Sequence, residues 1–404
     1  MAGDQAPLDR DEDAAARVAL TWLAEPGNRA VWTMVQDIGA PATMKVLLAG
    51  RAQDASLRTG VQSRSAKGDA RRLADAALRQ AARLGARIVI PTDDEWPGGV
   101  DALATLEVPV PGRLNRDIRP PLCIWVRGPW PLGETLGQSV AVIGARAATG
   151  YGTHVTGEIA YGLADHEWTV VSGGAFGVDA AAHRAALAGG GRTVSVLACG
   201  VDRPYPSGNA SLFEQIAETG LLISEWPPGS EPLRHRFLIR NRVIAAATRG
   251  TVIVEAAARS GAVQTMGRVL ELHRKAMVVP GPVTSAMSVG CHELIRANPA
   301  VRLVTGLPQV LEEIGRIGDY TAERSRGPEH QRDHLDEESA VLLEAVPHRG
   351  AADPAELAAK AGLHLRTVLR RLSLLETLGL ITRHPNGTVT LRPSRPQLAQ
   401  EATT

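Results

Sequence analysis

The chain has 404 residues, 44% hydrophobic and 22% charged, with a formal net charge of +1, which fits two or three ordinary globular units rather than one. No apolar run reaches the roughly 18 residues that a membrane span requires, and the acidic start (Asp4, Asp9, Asp11, Glu12, Asp13) has the wrong charge for a secretory signal. Cys123, Cys199 and Cys291 are odd in number and lack metal-ligand spacing, so a cytoplasmic protein without a disulfide framework, metal or cofactor is expected.

Residues 13 to 90 read as helical: Val18, Leu20 and Leu23, then Val31, Met34, Val35 and Ile38, then Leu73, Ala76, Leu78 and Ala82 recur at helical spacing. The stretch from Val35 to Pro41 fits a turn between two short helices, either of a small DNA-binding module or of plain helical packing. A strand is predicted over 87–90, and a Pro-bearing stretch from Pro109 to Pro121 leads to an apolar run over 122–126. From Ser139 the rhythm becomes strand, Gly-bearing turn, helix. Strands are predicted over 140–143, 169–171, 193–197, 221–223, 251–254 and 276–279, and helices over 157–164, 178–187, 212–218, 243–248 and 263–272. That alternation implies an α/β fold with a mostly parallel, doubly wound sheet covered on both faces. Residues 312–338 are acidic, carry Gly327-Pro328 and read as a linker. Helices over 340–345, 354–361 and 365–378, then two strands flanking Asn386-Gly387, predict a winged helix.

Lysine is confined to Lys45, Lys67, Lys275 and Lys360, so 40 of the 44 basic residues are arginine. Codon usage in a GC-rich genome accounts for the skew, yet arginine also forks onto phosphate and stacks on bases. Location is therefore the informative quantity. Gly144-Ala145-Arg146 follows the first strand of the alternating region, with Gly150 and Gly152 beyond. This spacing departs from G-x-G-x-x-G and from the Walker pattern, leaving a turn that could expose backbone N–H groups to phosphate beside Arg146. The next turn holds Gly173, Gly174 and Phe176, then Asp179 and His183 four residues apart on one helix face. With no nucleophile beside them, a hydrogen-bonded structural pair is expected rather than a catalytic one.

The third turn offers Arg203 and Tyr205. The stretch from Leu233 to Arg242 holds Arg234, Arg236, Arg240 and Arg242 with His235 and no acid. A helix starting near Leu238 would place Arg240 and Arg242 in its first turn, where cations are disfavoured unless an anion binds. Phe237 among them suits stacking of a base beside a neutralised phosphate. Glu255, at a strand end, is placed either as a general base or as a partner of the Arg cluster.

These motifs together resemble the DprA/Smf family of bacterial DNA-processing proteins. The matching stretches are Val142 to Arg146, Ser172-Gly173-Gly174 through His183, Val196 to Pro206, Ser224-Glu225, Phe237 to Ala245, Val254 to Ala256, Ser260-Gly261 and Val279 to Gly281. They follow the family order. The resemblance implies an extended Rossmann-like domain that binds single-stranded DNA and helps load the recombinase RecA, as a homodimer. It divides the chain into a helical, SAM-like domain (1–112), a Rossmann-like DNA-binding domain (113–311), the acidic linker (312–338), a winged helix (339–393) and a tail (394–404). It places Arg146, Arg234 and Phe237 on DNA, and Gly144, Gly173, Gly174, Phe176, Arg240, Asn241 and Arg242 of the same turns and basic run are expected to bind the single strand with them. Asp179, His183 and Glu255 are structural in this reading, and no catalytic residue is assigned. The chain departs from the family at Phe176 and Ser207, where members often carry a basic residue. Two other readings are a nucleoside-monophosphate hydrolase, whose Pro-Gly-Gly-x-Gly-Thr turn is here only Pro280-Gly281-Pro282, and a duplex-binding regulator using Arg366, Arg370 and Arg371.

Overall fold

The computed structural model describes residues 9–66, 68–106, 118–316, 318–320 and 331–392. Expectations for the first residues, the start of the Pro-bearing stretch, the middle of the acidic linker and the tail lie outside the described residues. Five helices come first: α1 (Arg10–Leu23), α2 (Arg29–Ile38), α3 (Ala40–Leu48), α4 (Ala55–Ser65) and α5 (Ala70–Arg83). Asn28, Asp54 and Asp69 accept backbone N–H groups at the starts of α2, α4 and α5, replacing acceptors that a first helical turn lacks. Gly39, at φ 78°, ends α2 and opens α3, so the turn expected near Pro41 is present. On α5 the buried face is Ala70, Ala74, Ala77 and Ala81, and these small side chains let it approach closely.

The alternating region follows as β1 (Ala86–Val89), β2 (Ile124–Arg127), α6 (Leu132–Gly137), β3 (Ser139–Ile143), α7 (Gly150–Asp165), β4 (Thr169–Ser172), α8 (Val178–Ala188) and β5 (Thr193–Leu197). It continues as α9 (Ala210–Thr219), β6 (Leu221–Ser224), α10 (Arg234–Ala247), β7 (Gly250–Ile253), α11 (Gly261–Glu271), β8 (Lys275–Val278), α12 (Val289–Ala297), β9 (Val301–Leu303) and α13 (Leu307–Ile314). The nine strands form one sheet in the order β1-β2-β6-β5-β4-β3-β7-β8-β9. From β6 to β9 neighbours are parallel, whereas β2 is antiparallel to both β1 and β6. The chain winds outward from β3 through β6, then returns to the other side of β3 with β7.

Val140 and Val142 join a core with α7, α8 and α13, while Ala141 and Ile143 join one with α10 and α11. Period-two alternation with both faces apolar makes β3 a fully covered central strand. A further core unites α1–α5 with Trp125, Leu197 and Leu222 of the sheet. The structure corrects three boundaries. The helix predicted over 243–248 begins at Arg234, α13 occupies the start of the expected linker, and β9 lacks a sequence signal because Arg302 and Leu303 are exposed at the sheet edge.

The chain divides into two compact units, Met1–Ala322 and Glu323–Thr404. The second holds a short 3-10 turn, α14 (Glu337–Ala345), α15 (Pro354–Ala361), α16 (Leu365–Thr377) and an antiparallel hairpin of β10 (Ile381–Arg383) and β11 (Val389–Leu391). Its own core comprises Leu342, Leu357, Val368, Leu372, Leu375, Ile381 and Val389. A capping box of Asp353 and Glu356 starts α15, and Gly362 in the left-handed region ends it. Among the described residues no helix is long and apolar enough to cross a membrane.

Candidate nucleic-acid interface

Between the carboxyl ends of β3 and β7, where the winding reverses, a cleft of about 330 Å³ opens. Ligands of parallel sheets occupy this position because turns there diverge and leave a crevice. The turn after β3 forms one wall with Gly144, Ala145 and Arg146, and α10 forms another with Phe237, Arg240 and Asn241. Asp179 from α8 and Ser260 to Ala262 after β7 complete it. A Cβ on Gly144 would lie 2.6 Å from the Val178 side chain, so this close approach of turn and α8 requires glycine. Arg146 projects into solvent, and its guanidinium carbon lies 5.6 Å from the centre of the Phe237 ring.

The backbone cradle expected at the start of α7 is partly occupied by the protein itself. Glu255 reaches across from the end of β7; its carboxylate accepts the Thr149 N–H at 2.9 Å and the Thr149 hydroxyl at 2.6 Å. Thr149 in turn accepts the Gly152 N–H. A buried carboxylate thus supplies the negative charge that a helix start favours. Glu255 is consequently neither a free base nor a partner of the Arg cluster. A Cβ on Gly152 would stand 2.2 Å from its carboxylate oxygen.

The expected Asp179–His183 pair also fails to form, although both residues belong to α8. Asp179 accepts the N–H groups of Gly173 and Ala175 at 3.2 and 3.3 Å, closing the glycine turn after β4. Burial raises its carboxyl above the ordinary range, against the pull of the Arg240 cation. His183 instead donates from Nδ1 to the Thr193 hydroxyl at 2.7 Å, because that hydroxyl already donates to the Val170 carbonyl. Burial, with Arg240 and Arg184 adding to it, pushes His183 down from 6.5 to about 3. It is a neutral core imidazole.

Starting α10 at Arg234 redistributes the basic run. Arg236 is directed at Glu25 at 3.2 Å, and the Glu25 carboxylate also accepts from Arg64 and from the Trp226 indole, both at 2.9 Å. Burial pushes the Glu25 carboxyl up, but Arg236, Trp226 and Arg64 together hold it below its ordinary value. Arg240 is buried and donates to the carbonyls of Gly173 and Val196, tying together the ends of β4 and β5. A Cβ on Gly173 would lie 2.5 Å from that guanidinium. Asn241 accepts from Arg240 Nε. Arg242 is fully buried and forms a two-pronged pair with Glu225 at 2.5 and 2.7 Å, away from the cleft walls. Of the four arginines, only Arg234 is exposed without an ion-pair partner among the described residues.

What remains open to solvent is aromatic and cationic. Phe237 packs edge-on against Tyr205 with centroids 5.9 Å apart. Tyr205 is 48% exposed and Phe176 is 50% exposed, and the Phe176 ring approaches Gly208 in the same β5–α9 loop as Tyr205. The chain has three phenylalanines, and two of them stand at this edge while Phe213 is core. Arg203 is exposed beside Asp202. Tyr205 and Arg203 also stand at this edge, outside the set of site residues expected from the sequence. Their signal was an aromatic next to a cation in a Pro-rich loop, which a structural turn explains equally well.

Residues 87–315 match the family model described as DNA recombination-mediator protein A. The chain belongs to this family. It is 42% identical over 372 residues to a putative DNA processing protein DprA of Mycobacterium tuberculosis, spanning 92% of each chain. Protein Smf of Escherichia coli is 34% identical over 258 residues, covering 63% of this chain and 68% of its own. The X-ray structure of DNA processing protein A (DprA) from Streptococcus pneumoniae has the same fold, with a TM-score of 0.56 at 28% identity over 76% of this chain and 95% of that one. The family is one of DNA-processing recombination mediators, in agreement with the DprA/Smf resemblance.

Proposed function

We propose that the chain mediates recombination by binding single-stranded DNA along the carboxyl edge of the sheet, without catalysing a reaction. The observation carrying this reading is the exposed rings of Phe176 and Tyr205 with the half-buried Phe237 packed on Tyr205, beside the unpaired cations of Arg146 and Arg234. Unpaired bases stack on aromatic faces regardless of sequence, and guanidinium groups neutralise the phosphates between them. Gly144, Gly173 and Gly174 let the turns pack closely on Val178, Arg240 and Phe213, which fixes the edge that the strand meets. Arg240 and Asn241 hold the cleft floor, and Arg242 supports α10 from inside. Asp179 and Glu255 are committed to hydrogen bonds that build the turns and His183 to one that joins α8 to β5, which supports a binder over a hydrolase.

The resemblance extends the proposal to RecA as recipient of the bound strand and to a homodimer. It also makes residues 339–393 a winged helix. There Arg371 is held by Asp336 and Glu338 at 2.6 and 2.8 Å, leaving Arg366 and Arg370 as the exposed cations of α16 for a duplex. Fluorescence anisotropy with labelled oligothymidylate tests the central claim. Affinity should fall with salt at roughly 0.7 log units per phosphate contacted. The double variant Arg146→Ala/Arg234→Ala should lower both the affinity and the slope. Wild-type affinity retained by that variant overturns the proposal.

A further inference from the structure

The arginines that make the composition unusual concentrate on α5 as well as at the cleft. This helix carries Arg71, Arg72, Arg79 and Arg83 against a single acid, Asp75. At 100° per residue, Arg79 and Arg83 return to within about 20° of the direction of Arg72. All three are exposed, opposite the buried alanine face. None has a carboxylate within ion-pair distance among the described residues, although Asp69 at the helix start attracts Arg71 and Arg72. Like charges four residues apart on a helix cost a few tenths of a kcal/mol, a cost that a polyanion lying along the row would turn into attraction.

Two contacts join this row to the nucleic-acid edge. Ala70 and Leu73 of α5 line one groove, of about 370 Å³, with Leu233 and Arg236 at the start of α10. Leu233 itself is 41% exposed and directly precedes Arg234. Further along, Gln80 donates to the Asp202 carboxylate at 3.0 Å, and that same carboxylate faces Arg203 at 3.8 Å. Gln80 stands at the border of the exposed face of α5, so the loop carrying Arg203 and Tyr205 abuts the flank of α5 beside the arginine row.

We infer that α5 is a second phosphate-binding track, over which a single strand leaving the Phe237–Tyr205 platform continues along Arg72, Arg79 and Arg83. The helical rise spaces these residues by about 10 and about 6 Å, which a flexible strand can follow with successive phosphates. With no aromatic on the exposed side of α5, this track contributes charge and no stacking. It therefore lengthens the bound segment without adding base preference. The inference rests on the single-strand reading of the cleft.

The test compares oligothymidylates of about 6 nucleotides, which fill the platform alone, and about 25, which reach α5. Wild type should bind the longer strand with the steeper salt dependence. The variant Arg72→Gln/Arg79→Gln/Arg83→Gln should keep short-strand affinity and slope, while its long-strand slope falls by about 2, three contacts at roughly 0.7 each. Glutamine has nearly the helix propensity of arginine. Arg79→Glu alone provides a second reading, with weakened long-strand binding and unchanged short-strand binding expected. A long-strand slope equal to that of wild type in both variants overturns the track, leaving α5 facing solvent or an acidic protein surface. If wild type binds neither strand, the cleft reading fails first and the track with it.

Discussion

Phe237 and Arg146 touch each other, yet they contribute different physics to one contact. The ring offers a stacking face, whose removal costs on the order of 1–3 kcal/mol per base. The guanidinium offers a counter-ion, whose removal reduces salt dependence. Phe237→Ala should therefore weaken oligothymidylate binding roughly 5- to 150-fold with little change in salt slope, which titration at two salt concentrations measures. A slope that dropped with the ring would mean that Phe237 acts by orienting Arg146. Arg242 belongs to a different class. Both its prongs and the Glu225 carboxylate are buried, so Arg242→Ala strands an unpaired charge. Losing one partner of such a pair costs about 3–5 kcal/mol, and thermal denaturation should show a large fall in midpoint. Single-strand affinity of the fraction that remains folded should be close to that of wild type, because Arg242 is not among the cleft-lining residues.

At the scale of elements, the turns after β3 and β4 are stabilised by the protein's own carboxylates, Glu255 and Asp179. That arrangement positions Arg146 and Phe176 and occupies the amides of Thr149, Gly152, Gly173 and Ala175. On α8, His183 connects to β5 through Thr193, and its pKa near 3 sets a pH dependence. The unfolded imidazole takes a proton near 6.5, whereas the folded one resists it until about 3. Above 6.5 neither state is protonated and nothing is lost. As pH falls from 6.5 toward 3 the unfolded state binds the extra proton, and stability declines by up to about 1.4 kcal/mol per pH unit. His183→Gln should flatten this part of the stability profile, measured as denaturation midpoint against pH. An identical profile in the variant would show that carboxylates alone govern the acid limb.

For the whole molecule, the cleft, the aromatic row and α5 all lie within Met1–Ala322, and Glu323–Thr404 has a separate core. A chain ending at residue 322 should fold and retain single-strand binding within about threefold of full length, a difference under about 0.7 kcal/mol. Band-shift titration with single and double strands checks this. Loss of duplex binding alone would assign the duplex to the C-terminal unit, and loss of single-strand binding would remove the site from the sheet edge. Net charge near zero conceals this arrangement, because charge acts through its distribution rather than its sum.

Strand–turn–helix alternation from Ser139, the glycine turns and the hairpin around Asn386-Gly387 were legible in the sequence. They rest on local geometry: which side chains alternate, and where a Cβ cannot fit. Arg146 and Phe176 could be selected for the same reason, as a cation and an aromatic in turns that follow strands, and Arg234 and Phe237 as members of a basic run interrupted by an aromatic. Only the tertiary structure decided how the rest of the basic run is spent. Arg236, Arg240 and Arg242 look alike along the chain, but starting α10 at Arg234 sends each in a different direction, toward Glu25, the β4 and β5 carbonyls, and Glu225. Likewise, Asp179 and His183 share a helix and find separate partners. Hydrogen-bond partners between residues more than 100 positions apart, such as Thr149 with Glu255 or Arg236 with Glu25, leave no trace in local pattern. Sequence determined which residue types stood ready to meet DNA. Long-range packing determined which of them were left free to do so, because a buried cation must be satisfied inside the protein before any ligand arrives.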